Sequence, residues 1–68
     1  MNEEIFNQDL RKFLKTFGVG AQREIEKALQ EGLASGALSE AKTLKVRARL
    51  EIAGAGDALV IEEDLPLA

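Results

Sequence analysis

The first seventeen residues carry large apolar side chains with the period of an α-helix. They recur every three to four positions through MNEEIFNQDLRKFLKTF, and they are Ile5, Phe6, Leu10, Phe13, Leu14 and Phe17. This spacing places all six on one helix face. Asn2 is a suitable N-cap, and Gly18 is the residue type that often ends a helix in the left-handed conformation. We therefore predict a first helix over residues 2–17.

A second apolar series with the same period follows. Its large members are Ile25, Leu29 and Leu33, and Ala28 and Gly32 make part of that face shallow. Inside a helix, a glycine is about 1 kcal/mol less favourable than alanine. Gly32 is explained if another backbone approaches closely there, and the alternative is that the helix ends early. The pattern predicts a second helix over residues 21–35, ended by Gly36.

From Leu44 onward the apolar period changes from that of a helix to that of a strand. LKVRARLEI alternates apolar and charged residues, GAGD is a turn signal, and ALVIEEDL is a second strand-like run. We predict an antiparallel hairpin with strands over residues 44–53 and 58–65, in which Ala53 pairs with Ala58. This register gives one apolar face, and it pairs Arg49 with Glu62 and Arg47 with Asp64 on the other face.

Glu63 interrupts the apolar face of the predicted hairpin, where it would lie opposite Ala48. Four explanations are open. The carboxylate lies in water at an uncovered end of the sheet, it lies in a pocket, it meets a lysine, or it discourages aggregation through the sheet edge.

Together these elements predict one small α+β domain over residues 1–68, with the order ααββ. A two-stranded hairpin is marginally stable without a helical cover, and its two edges stay open. Edge pairing between two copies would give a four-stranded sheet. We therefore expect a homodimer that acts in protein–protein interaction, with Ala28, Gly32 and Glu63 on the interaction surface.

The composition argues against catalysis and cofactor binding. The chain has no histidine, cysteine or tyrosine, so the commonest general base and the thiolate metal ligands are missing. We expect no enzymatic activity, no metal site and no cofactor. The acidic, amphipathic N-terminus is unlike a signal peptide, and no apolar run is long enough to span a bilayer. The expected location is the cytoplasm, without membrane attachment.

DNA binding is the alternative function. The net charge is −3, but residues 37–56 are basic and residues 57–68 are acidic. Phe13–Leu29 has the outline of a helix-turn-helix, with Gly18 and Val19 at the turn. A DNA reader would use the side chains of Gln22, Arg23, Lys45, Arg47 and Arg49. Acidic residues on the second helix, and acidic partners for two hairpin arginines, make this function less favoured.

One resemblance covers nearly the whole chain. The start MNEEIFNQDLRKFLKTFGV, then QREIEKAL, then an alternating strand, resembles a family of small uncharacterised bacterial proteins that form a domain of unknown function. The resemblance implies a bacterial source and no particular activity, and it assigns no functional residue. The relatives favour Thr-Ser after Gly-Val, where this chain has Gly20 and Ala21, so the second helix lacks a side-chain cap.

Overall fold

A computed structural model describes all residues 1–68 of the chain. It contains one helix, α1 (Glu3–Ser35), followed by two strands, β1 (Thr43–Ile52) and β2 (Gly56–Pro66). The predicted α+β class is confirmed, whereas the order ααββ is wrong because one helix replaces two. The chain divides into two compact units, Met1–Glu31 and Gly32–Ala68.

Asn2 caps the start of α1, as the sequence predicts. Its Oδ1 accepts hydrogen bonds from the backbone N–H groups of Glu4 (3.0 Å) and Ile5 (3.2 Å). Its carbonyl oxygen accepts a third from the N–H of Phe6 (3.1 Å). These bonds satisfy donors that the first turn of a helix leaves without an intrahelical partner.

The helix does not end at Gly18. α1 continues through Gly18, Val19 and Gly20, and none of the three glycines with positive φ lies in this segment. The predicted helices over residues 2–17 and 21–35 are therefore one helix, and the helix-turn-helix element predicted over Phe13–Leu29 is wrong.

The physical reason lies in the residues that follow Gly18. Two glycines inside a helix cost about 2 kcal/mol relative to two alanines. Ending the helix and restarting it would instead free several backbone N–H groups. Residues 19–23 include no Ser, Thr, Asp or Asn that could cap the restart. A continuous helix is therefore lower in free energy than two helices with a break between them.

The C-terminal end of α1 confirms the predicted stop at Gly36, whose φ is 85°. The N–H of Gly36 donates to the carbonyl of Leu33 (3.3 Å), and the N–H of Leu38 donates to the carbonyl of Gly32 (3.0 Å). The side chain of Leu38 occupies the space that a Cβ at position 32 would need. Gly32 is thus explained by the folding of the next loop over the helix end.

β1 and β2 form a two-stranded antiparallel sheet whose register differs from the predicted one by two residues from Thr43 to Leu50 and by three beyond the bulge. Leu50 pairs with Leu59 and Arg47 with Glu62, with a bulge between Leu50 and Glu51. The predicted pairs of Ala53 with Ala58, Arg49 with Glu62 and Arg47 with Asp64 are therefore wrong. The turn is tighter than expected because Gly54 and Gly56 both take positive φ, at 83° and 68°.

From Leu44 to Leu50 the two-residue shift keeps the predicted apolar face, because side chains alternate between faces with a period of two. Glu63 stays on that face, opposite Val46 instead of Ala48. The four-stranded sheet across a dimer stays a prediction.

Candidate interaction surface

A row of large apolar side chains lies exposed along the first half of α1. Phe6, Phe13 and Phe17 are 55%, 55% and 51% exposed. The helical period places them on one face together with three exposed aliphatic side chains. We call this row the phenylalanine stripe; its members are Ile5, Phe6, Leu10, Phe13, Leu14 and Phe17.

The phenylalanine stripe ends at Phe17. Its central positions, Phe6, Leu10, Phe13 and Phe17, are spaced by four, three and four residues. Continuing the same spacing along α1 leads to Gly20, Glu24, Lys27 and Glu31. The half-buried side chains of Ala21, Ile25 and Leu29 lie roughly a quarter turn further around the helix. An apolar partner that follows the stripe therefore meets charged side chains beyond Phe17.

Charged side chains divide the same segment into an acidic half and a basic half. The acids precede Leu10 and are Glu3, Glu4 and Asp9; the bases follow it and are Arg11, Lys12 and Lys15. All six are exposed. The acids near the N-terminus of α1 also interact favourably with the helix dipole. A partner that lies along the stripe would meet negative charge beside its first half and positive charge beside its second half.

A second apolar face belongs to the hairpin in unit Gly32–Ala68. Leu50, Leu59 and Ile61 lie on this face and are exposed, whereas Leu44 and Val46 near its other end are half-buried. The hairpin therefore offers open apolar surface near its turn.

No side chain of the chain is buried, apolar or polar. The hydrophobic effect is the dominant favourable term in folding and acts by removing apolar surface from water. In the single chain that term is only partly realised, although the sequence is as apolar as that of an ordinary globular protein.

The residues predicted on the interaction surface lie in different local settings. Ala28 is exposed on α1, and Gly32 is half-buried against Leu38 of the same chain. Glu63 is exposed on the apolar face of the hairpin. That these residues contact a partner stays a prediction.

The hairpin cations named for the DNA-binding alternative have acidic neighbours within the chain. Arg47 forms an ion pair with Glu62, with Nη2 2.6 Å from Oε1 and Nε donating to the same oxygen at 2.8 Å. Arg49 Nε lies 3.8 Å from Asp57 Oδ2. Lys45 is paired in register with an aspartate on β2. Two of the three cations therefore have an ion-pair partner in the acidic block of the same hairpin.

Gln22 and Arg23, the two helical residues named for DNA binding, do not lie at the start of a second helix as predicted. Gln22 Nε2 donates to Glu26 Oε1 at 2.9 Å, one turn along α1, and Arg23 is exposed beside it. Because α1 is continuous, these residues lie in the middle of a helix. They are not at the N-terminus of a recognition helix, where base edges and phosphates are usually met.

A shallow depression on α1 is lined by Glu4, Asn7, Gln8 and Arg11, which share the helix face opposite the phenylalanine stripe. No group of three or more acidic side chains lies close enough together to hold a metal ion. α1 contains no stretch that is apolar and long enough to cross a membrane.

Comparison with known proteins gives one match. A family model described as a family of unknown function (DUF6494) matches residues 1–68. No curated protein and no solved structure matches the chain. The resemblance to a domain of unknown function, inferred from the sequence, is confirmed.

Proposed function

We propose that this chain, which belongs to the family of unknown function DUF6494, is a small non-enzymatic interaction or structural module that self-associates. The observation that carries the proposal is that no side chain of the single chain is buried. A chain of ordinary apolar content is stabilised by burying that content, and a second copy would supply cover for it.

The exposed apolar side chains of each unit support the same proposal. In Met1–Glu31, Phe6 and Phe13 are each 55% exposed, and in Gly32–Ala68, Leu59 and Ile61 are 49% and 46% exposed. Self-association would cover such side chains without a second protein.

The non-enzymatic part of the proposal follows from the side chains available. Acid–base or nucleophilic catalysis needs a base beside a nucleophile in a site that excludes water. The hydroxyl of Ser35 donates to the carbonyl of Gly32 and accepts from the N–H of Ala37. It therefore serves the helix end, and every carboxylate of the chain is exposed.

The mass of the particle in solution tests the proposal. We expect sedimentation equilibrium or light scattering at high micromolar concentration to give at least twice 7.4 kDa, falling toward the chain mass on dilution. A particle of 7.4 kDa throughout that range would contradict self-association.

A further inference from the structure

The phenylalanine stripe has a defined length, which restricts what can cover it. Its central positions run from Phe6 to Phe17, and Glu24 is the first charged residue that follows at the same spacing. The cover must therefore be apolar over about twelve residues of helix, which is a length of about 18 Å, and must end near Phe17.

We infer that residues 5–17 of α1 pair antiparallel with the same residues of a second copy. This inference rests on the proposed self-association and names its surface and orientation. The stripes of the two copies are in register when Phe6 of one copy faces Phe17 of the other and Leu10 faces Phe13. All four central positions then meet an apolar side chain.

The exposed area of the stripe is sufficient for such a pair. Six large apolar side chains that are each about half exposed present roughly 600 Å² per chain. Two facing stripes would remove about 1,200 Å² from water, the lower edge of the range for stable interfaces.

The charged positions beyond the stripe favour the antiparallel orientation. In a parallel pair, Glu24 would face Glu24 of the second copy and Glu31 would face Glu31, within the same contact row. Like charges facing each other there are destabilising. In the antiparallel register the helix of the second copy begins beside Gly20, so Glu24 and later residues lie beyond the start of that helix.

The charges within the segment favour the same orientation. A parallel pair superposes the acidic half on the acidic half and the basic half on the basic half. An antiparallel pair separates the two acidic halves and brings each nearer to the basic half of the other copy. On the flank of the stripe, Asp9 of one copy comes within reach of Lys12 of the other.

Spin labels on single cysteines test the inference, and the chain contains no cysteine of its own. We expect nitroxides on Lys12→Cys to lie within about 20 Å of each other across the pair, because position 12 is close to its two-fold axis. Nitroxides on Arg23→Cys should lie about 35 Å apart or more, because 23 residues of helical rise separate them.

The outcomes separate this inference from the proposed function. Short distances at both positions would show a parallel pair, and a dimer without the short distance at position 12 would show another surface, such as the hairpin face. Either result overturns the inference while self-association stands. A 7.4 kDa particle without dipolar coupling would contradict both.

Two substitutions complete the test. Phe13→Glu should weaken the pair by about a hundredfold, because it places a charge at the centre of the apolar contact. Gln8→Glu introduces the same charge on the opposite helix face and should change the dissociation constant by less than about threefold. Equal effects of the two substitutions would exclude the stripe as the contact.

Discussion

At the scale of single residues, Asn2 stabilises the start of α1. Its side chain accepts hydrogen bonds from two of the N–H groups that the first turn leaves without a partner. We predict that Asn2→Ala lowers the free energy of unfolding by about 1 kcal/mol, since both acceptor contacts are lost. Urea unfolding followed by circular dichroism at 222 nm would measure the change. Asn2→Asp is the matched control, because it keeps a side-chain oxygen and should stay close to the natural chain. Equal stability of Asn2→Ala and the natural chain would show that the cap contributes nothing.

Gly32 and Leu38 show how a single side chain fixes a local fold. A Cβ at position 32 would collide with the Leu38 side chain, and the Leu38 N–H donates to the Gly32 carbonyl. The glycine therefore lets the connection to β1 fold over the last turn of α1. Its presence in a helix, which looks unfavourable by propensity alone, follows from this contact.

At the scale of elements, the continuity of α1 through Gly18 and Gly20 has a direct consequence. Nothing lies within 4 Å of the position that a Cβ would occupy at either residue. We predict that Gly18→Ala and Gly20→Ala each raise the free energy of unfolding by about 1 kcal/mol, because alanine is the better helix former. Chemical unfolding monitored at 222 nm gives the values.

Gly36→Ala is the matched control for these substitutions. Its φ of 85° is unfavourable for alanine, so it should lower stability by about 1 kcal/mol. If α1 instead ended at Gly18 in the left-handed conformation, Gly18→Ala would behave like Gly36→Ala. A loss of stability in Gly18→Ala would therefore contradict the single helix.

The ends of the elements could be predicted from the sequence because local chemistry determines them. The cap at Asn2, the stop at Gly36 and the change of period at Leu44 each act within a few residues. The predicted break at Gly18 was wrong because the local chemistry there is ambiguous. Glycine is compatible with both a helix interior and a helix end, and the missing cap after it favours continuation by only a few kcal/mol.

The register of the hairpin could be predicted only in part. Alternation identified the apolar face and placed Glu63 on it, but a shift of two residues preserves both features. The turn geometry at Gly54 and Gly56 selects the observed register. Likewise, periodicity showed that residues 5–17 form an apolar face, but it could not show that this face is uncovered in the single chain.

At the scale of the whole molecule, folding and association are coupled if two chains share their apolar surface. We predict that the thermal midpoint rises by roughly 5 °C for each tenfold increase in protein concentration, as expected for a dimer of this length that unfolds to single chains. Differential scanning calorimetry between about 10 μM and 1 mM covers the range in which mass action is measurable. A midpoint that is independent of concentration would indicate that the single chain is stable by itself.

The local structure of α1 and the hairpin also determines whether folding of the secondary structure or association of two chains comes first. The backbone pairing of the chain lies within α1 and between two strands that are adjacent in sequence. Such structure forms in microseconds, whereas the meeting of two chains slows as they become dilute. For a self-associating chain, the level of synthesis in the cell would therefore set how fast the dimer forms and what fraction of the chains it contains. A change in expression would then change the amount of dimer more than proportionally.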